Sequence, residues 1–136
     1  MQSHVIQNIF ISVVFSLSMN PQQKLKLFWK IINHLNKKFC KNKLVIKKIT
    51  LFRKEDLHKS FPDHYGWYFM DRRDILIRED LSLVSQLNIL SHELAHAYQF
   101  QILKYSPTRV RKHDKVGGNM NRQFLNEIDK MIRISV

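Results

Sequence analysis

His92, Glu93 and His96 stand in the run His92-Glu93-Leu94-Ala95-His96, two imidazoles four residues apart with a carboxylate beside the first. On a helix of about 3.6 residues per turn, positions i and i+4 share a face, so both rings can reach one tetrahedral zinc ion. Glu93 projects in an adjacent direction, where its carboxylate can serve as general base toward a zinc-activated water rather than as a ligand. The bland alternative is a helix carrying this trio by coincidence, and the setting argues against it. Leu83 to Leu103 contains no Gly or Pro, and Leu83, Leu87, Leu90, Leu94 and Ala97 form an apolar stripe at helical spacing. The histidines lie off that stripe, which suits a cleft better than a packed interior.

A catalytic zinc takes three protein ligands and keeps one position open. The metzincin continuation would need Gly and His where this chain has Gln99 and Ile102, which excludes that class. His113, beyond the breaker Ser106-Pro107, is the first choice for third ligand, with Asp114 and Glu127 as alternatives. The histidines of the loop Glu55 to Gly66, His58 and His64, are read as ordinary polar loop residues.

The elements that must position these residues are legible in outline. Asn20 before Pro21 opens a helix running to about Phe39, with Leu25, Phe28, Ile32, Leu35 and Phe39 as its inward stripe and Trp29 at core or rim. Lys43 to Phe52 reads as strand-forming, with Val45, Ile49 and Leu51 facing inward. A strand at Trp67 to Met70, a turn at Asp71-Arg72-Arg73 and a strand at Asp74 to Arg78 precede the histidine helix. A polar loop from 104 to 119 follows, in which Gly117-Gly118 supply freedom for a lid, and then a C-terminal helix. The expected fold is a small α+β, zincin-like domain: N-terminal helix, short antiparallel sheet, histidine helix, C-terminal helix. The exposed edge of a strand beside the histidine helix is expected to hold a peptide substrate by strand addition.

Residues 1–18 are an apolar segment, followed by the 19–136 domain. The segment reads as a buried or interfacial element, an atypical secretion signal, or upstream sequence with Met19 as the true start. It lacks a positive leader region and falls short of the roughly 20 apolar residues of a membrane span. Cys40 is the only cysteine, so no intramolecular disulfide forms, which fits a reducing, cytoplasmic compartment; the apolar start leaves secretion open. A monomer is expected.

The formal net charge is +12 and is concentrated. Residues 24–54 hold eleven basic residues and no acid, whereas from residue 55 onward twelve basic residues face eleven acidic ones. Lys37, Lys38, Lys41, Lys43, Lys47 and Lys48 are the candidate contacts to nucleic acid such as DNA, binding phosphates without reading bases. The competing reading is a solvated lysine face.

The stretch Gly66 to Phe124 resembles the SprT-like metalloproteases, a group that includes Spartan and many phage and bacterial relatives. The matching pieces are Gly66-Trp67-Tyr68 with Asp74-Ile75-Leu76-Ile77-Arg78, then Ile89-Leu90-Ser91-His92-Glu93-Leu94-Ala95-His96-Ala97-Tyr98, then a downstream histidine and Phe124 on a last helix. The resemblance implies a zinc endopeptidase with His92 and His96 as ligands and Glu93 as base, and many members of that group cut proteins on DNA. It departs at the third ligand: the family often carries a histidine near the position of Met120, where this chain has none, so His113 fits only if the intervening loop is longer. The paired cysteines of the small zinc ribbon common in bacterial relatives are also absent through Val136. The rival expectation is a basic nucleic-acid-binding module whose zinc centre is structural or inactive.

Overall fold

Asn20 caps the first helix as its side chain dictates. Its Oδ1 accepts the Gln23 N–H at 2.8 Å while Gln23 Oε1 accepts the Asn20 N–H at 2.9 Å, a reciprocal capping box with Pro21 preset in the first turn. In this computed structural model, which describes residues 19–56 and 65–135, α1 spans Pro21–Phe39. Phe28, Ile31, Ile32 and Leu35 are buried, with Leu25, Trp29 and Phe39 packed at the margin. Residues 1–18 and the loop histidines His58 and His64 lie outside the described residues. Beyond Phe39 the chain turns through Lys41 (φ 51°) and Asn42 (φ 61°), while Asn36 binds both backbone groups of Leu44, accepting its N–H at 2.9 Å and donating to its carbonyl at 2.8 Å.

That capture shortens the next strand. β1 is Lys48–Phe52, and Val45, expected to face inward, is 40% exposed. Its N–H donates to Gln101 Oε1 and its carbonyl accepts from Gln101 Nε2, both at 2.7 Å, so a glutamine side chain takes the place of a strand partner. β2 (Gly66–Phe69) and β3 (Asp74–Arg78) form an antiparallel hairpin, but β1 joins β3 in parallel, giving a mixed sheet of order β1-β3-β2. The expected antiparallel sheet therefore holds for the hairpin alone. Side-chain alternation fixes which face of a strand is buried and leaves its direction open. The central place goes to β3, whose Ile75 and Ile77 are fully buried.

α2 runs Leu83–Gln101 from its cap Ser82, with Leu83, Leu87, Leu90, Leu94 and Ala97 all at most 1% exposed. It packs on β2, β3 and every other helix. A single turn, α3 (Pro107–Val110), leads to α4 (Lys115–Ser135). Among the described residues the fold is thus α+β, four helices and a three-stranded mixed sheet. The expected mobile glycine pair proves helical: Gly117 and Gly118 lie in the first turns of α4, and neither has positive φ. Gly117 is there for proximity, because a Cβ would lie 2.9 Å from the Gln99 amide of α2. Among the described residues no helix is long and apolar enough to cross a membrane.

Gly66 marks a close approach of the sheet to α2. A Cβ at this position would lie 2.2 Å from Ile89 Cγ2 and 3.1 Å from the Leu76 carbonyl oxygen. Gly66→Ala is expected to lower stability by about 2 kcal/mol in urea titrations, and by less than about 1 kcal/mol when introduced into Ile89→Ala, where the obstructing methyl is gone. Equal losses in both backgrounds would contradict this packing.

Candidate metal centre

His92, Glu93 and His96 all lie on α2, midway between its ends. Helical spacing brings His92 Nε2 and His96 Nε2 to 3.1 Å. Two nitrogens on one tetrahedral zinc, each at about 2.05 Å, stand roughly 3.3 Å apart, so the pair is already at ligand spacing. His113 comes from the segment joining α3 to α4. Its backbone is left-handed (φ 54°), which reverses the chain and lays the imidazole parallel to His92, with ring centroids 5.2 Å apart, and across His96 at 4.8 Å. One ligand atom from each of the three histidines lies within 4.8 Å of the others, close enough to hold a metal ion.

Burial prepares these rings for a cation. His96, 4% exposed, is pushed down to about 3, chiefly by loss of solvation and then by His92, His113 and Arg111. His92 is lowered by the same main cause. Both are neutral near pH 7, so a metal need not first displace a proton. Two buried polar atoms here, Glu93 Oε1 and His96 Nδ1, have no hydrogen-bond partner. A pocket of about 200 Å³ opens onto the cluster, walled by the three histidines, Ala95, Gln99, Asp114, Gly117, Gly118 and Asn121.

Glu93 is 6% exposed and is pushed up to about 7 by burial, against the pull of the Arg111 charge and the Tyr68 backbone N–H. A carboxylate balanced near neutrality can both accept and return a proton. The Tyr68 contact follows from the sheet. Arg73 N–H and Arg78 N–H donate to the carbonyls of Phe69 and Tyr65, so the intervening Tyr68 turns its backbone groups away from β3, toward the free edge of β2. There its N–H meets Glu93 and its carbonyl accepts Arg111 Nη2 at 2.8 Å, while the Arg111 guanidinium lies 4.0 Å from the centre of the Trp67 ring.

The alternative third ligands are engaged in other bonds, Asp114 on the wall of this same pocket and Glu127 away from it. Asp114 accepts the Gln99 amide at 2.8 Å and the Gly117 N–H at 3.0 Å, capping α4, and these bonds hold it below the usual carboxylate range. Glu127 joins α4 to α1 through His34 at 2.6 Å and Lys38 at 2.8 Å. Met120, near which the resemblance puts a histidine, packs against the core. Tyr98 stacks edge-on against Phe124, and the Cys40 thiol is buried and pushed up to about 11, so neither serves the cluster.

Of the lysines singled out for nucleic acid, Lys38 is engaged by Glu127, whereas Lys37, Lys41, Lys43, Lys47 and Lys48 are exposed. Lys43 converges with Arg73 and Lys104 around a second cleft of about 390 Å³, which also includes Phe100 and Tyr105 and no acidic residue. Arg73 and Lys104 had no signal in the sequence, because only the fold brings them to this cleft. No family model, curated protein or solved structure matches the chain.

The buried carboxylate gives a pH-dependent prediction for the metal-free protein. Glu93 has a folded-state value near 7 against 4.5 for the free group, so its favourable contribution is complete below about pH 4.5 and is lost as pH rises through 7. Glu93→Gln removes the buried charge. With chelator present it should be more stable than wild type by about 3 kcal/mol at pH 8 and nearly equal to it at pH 4.5. Urea titrations at the two pH values measure this, and an unchanged difference would show that the carboxylate is not desolvated.

Proposed function

We propose that the protein is a zinc-dependent endopeptidase of SprT-like type with a zincin-like architecture. The convergence of His92, His96 and His113 beside a buried, proton-accepting Glu93 carries this reading. The resemblance of Gly66 to Phe124 supports it. His92, His96 and His113 would hold the zinc, which would supply Lewis acidity toward a water and a peptide carbonyl.

The remaining work falls to the chain. Glu93 Oε1, which has no protein partner, takes the proton of the attacking water and passes it to the leaving amine. The Tyr68 N–H binds the carboxylate, and one rigid, buried helix keeps His92 and His96 at their spacing. β2 is an edge strand beside α2, and an extended peptide adding to it would take the place of Arg111 on the Tyr68 carbonyl. The substrate is accordingly an extended segment of a protein or peptide.

Glu93→Gln should retain one zinc per chain by elemental analysis and cleave an unstructured protein about 100-fold or more slowly than wild type. His96→Ala should lose the metal. Undiminished cleavage by Glu93→Gln would sink the proposal.

A second reading, nucleic-acid binding, is favoured by the acid-free cleft of Lys43, Arg73 and Lys104. Such a surface neutralises phosphates without selecting bases, and it fits a protease acting on DNA-associated proteins as well as a binding module with an inactive metal centre. Replacing all three with Gln should make the logarithmic salt dependence of duplex DNA binding shallower by about 3, while Lys24, Lys26 and Lys30 replaced together leave it nearly unchanged. Equal effects of the two triples, measured by fluorescence anisotropy, would show that binding follows overall charge alone.

A further inference from the structure

The three histidines reach the cluster by different means. His92 and His96 keep their spacing through one rigid helix, whereas His113 depends on the four-residue segment 111–114 between α3 and α4. The imidazole of His113 is exposed, and its backbone N–H reaches the Val110 carbonyl only at 3.4 Å. Lys112 N–H reaches the Arg109 carbonyl at 3.2 Å, so the middle of the segment has two long backbone bonds and its side-chain anchors lie at its two ends. At the downstream end Asp114 is bound by Gln99 of α2 and by the first turn of α4. At the upstream end Arg111 reaches across to β2, donating to the Tyr68 carbonyl at 2.8 Å and lying over the Trp67 ring at 4.0 Å.

Arg suits that position for definite reasons. Its planar guanidinium can stack on an indole and donate in plane to a carbonyl at once, and its charge makes the hydrogen bond stronger than a neutral one. The acceptor is the one backbone carbonyl of the strand's middle that the sheet leaves free, next to the N–H that meets Glu93.

We propose that Arg111 is a positioning residue for the metal centre: docked on the edge of β2, it holds the 111–114 segment where His113 completes the set begun by His92 and His96. The inference rests on the metal-binding reading of the three histidines. It makes the third ligand's place a property of the sheet edge as well as of the connecting segment.

Cobalt(II) is the probe, because its visible absorption reports coordination geometry as well as occupancy. Arg111→Met keeps an aliphatic stem against Trp67 and deletes the donors. It is expected to bind cobalt(II) roughly 10-fold or more weakly than wild type, with a spectrum shifted toward that of His113→Ala. Arg111→Lys, which keeps charge and one donor, should recover part of the affinity and of the spectrum. A Met variant with wild-type affinity and spectrum overturns the proposal. So does one whose affinity falls only in step with its melting temperature while the spectrum of the bound form stays that of wild type. Wild-type protein that binds no cobalt(II) overturns the metal reading on which the proposal rests, an outcome distinct from both.

Discussion

Burying α2 obliges the protein to find partners for six polar side chains that water hardly reaches: Gln86, Ser91, Glu93, His96, Gln99 and Gln101. At about 1–3 kcal/mol for each group left unpaired, the total would be on the order of 10 kcal/mol, comparable to the whole stability of a domain this size. The partners come from every direction. Gln86 donates to the carbonyls of Arg78 and Glu79 at the end of β3, Ser91 binds Asn121 of α4, Gln99 binds Asp114, and Gln101 spans Val45 and the Tyr68 hydroxyl. These bonds fix the sheet, the 43–47 segment and the start of α4 relative to one helix. Three side-chain atoms among the described residues remain buried without a partner, and two of them, Glu93 Oε1 and His96 Nδ1, belong to the candidate metal centre. Polar capacity left over in so thoroughly paired a core is where a ligand finds room to act.

What could be read from the sequence was local. The α1 boundaries follow from Asn20, Pro21 and the spacing of Phe28, Ile32 and Leu35, signals contained within a few turns of chain. The Leu83 to Ala97 stripe and the His-Glu-x-x-His spacing likewise depend only on helix geometry. The misreadings share a cause. Val45 looked like an inward strand residue until Gln101, 56 positions away, took its backbone groups. Gly117-Gly118 looked like a hinge because glycine is permissive, yet Gly117 answers a close approach of two helices that sequence spacing does not reveal. The parallel placement of β1 was hidden for the same reason, since periodicity carries no information on strand direction.

His113 shows how partial legibility works at a site. Its residue type and its position after a helix breaker named it, while Asp114 and Glu127 offered the same chemistry. Only tertiary pairing separates them: both carboxylates are bound where they stand, one capping α4 and one joining α4 to α1. A residue free of structural obligations is the one left available to a metal.

The same reasoning applies to the edge of β2, and there it exposes a conflict of use. An added peptide strand needs outward-facing backbone groups, and at Tyr68 both are already engaged, the N–H by Glu93 and the carbonyl by Arg111. A peptide strand added at that carbonyl would replace a charge-assisted hydrogen bond with a neutral one, so strand addition past Tyr68 is unfavourable unless Arg111 gains another acceptor. The substrate's own backbone carbonyls or an acidic side chain would serve. If Arg111 also positions His113, the group a peptide must move is the one that holds the third ligand in place. Peptide engagement and completion of the metal site are then linked through one guanidinium.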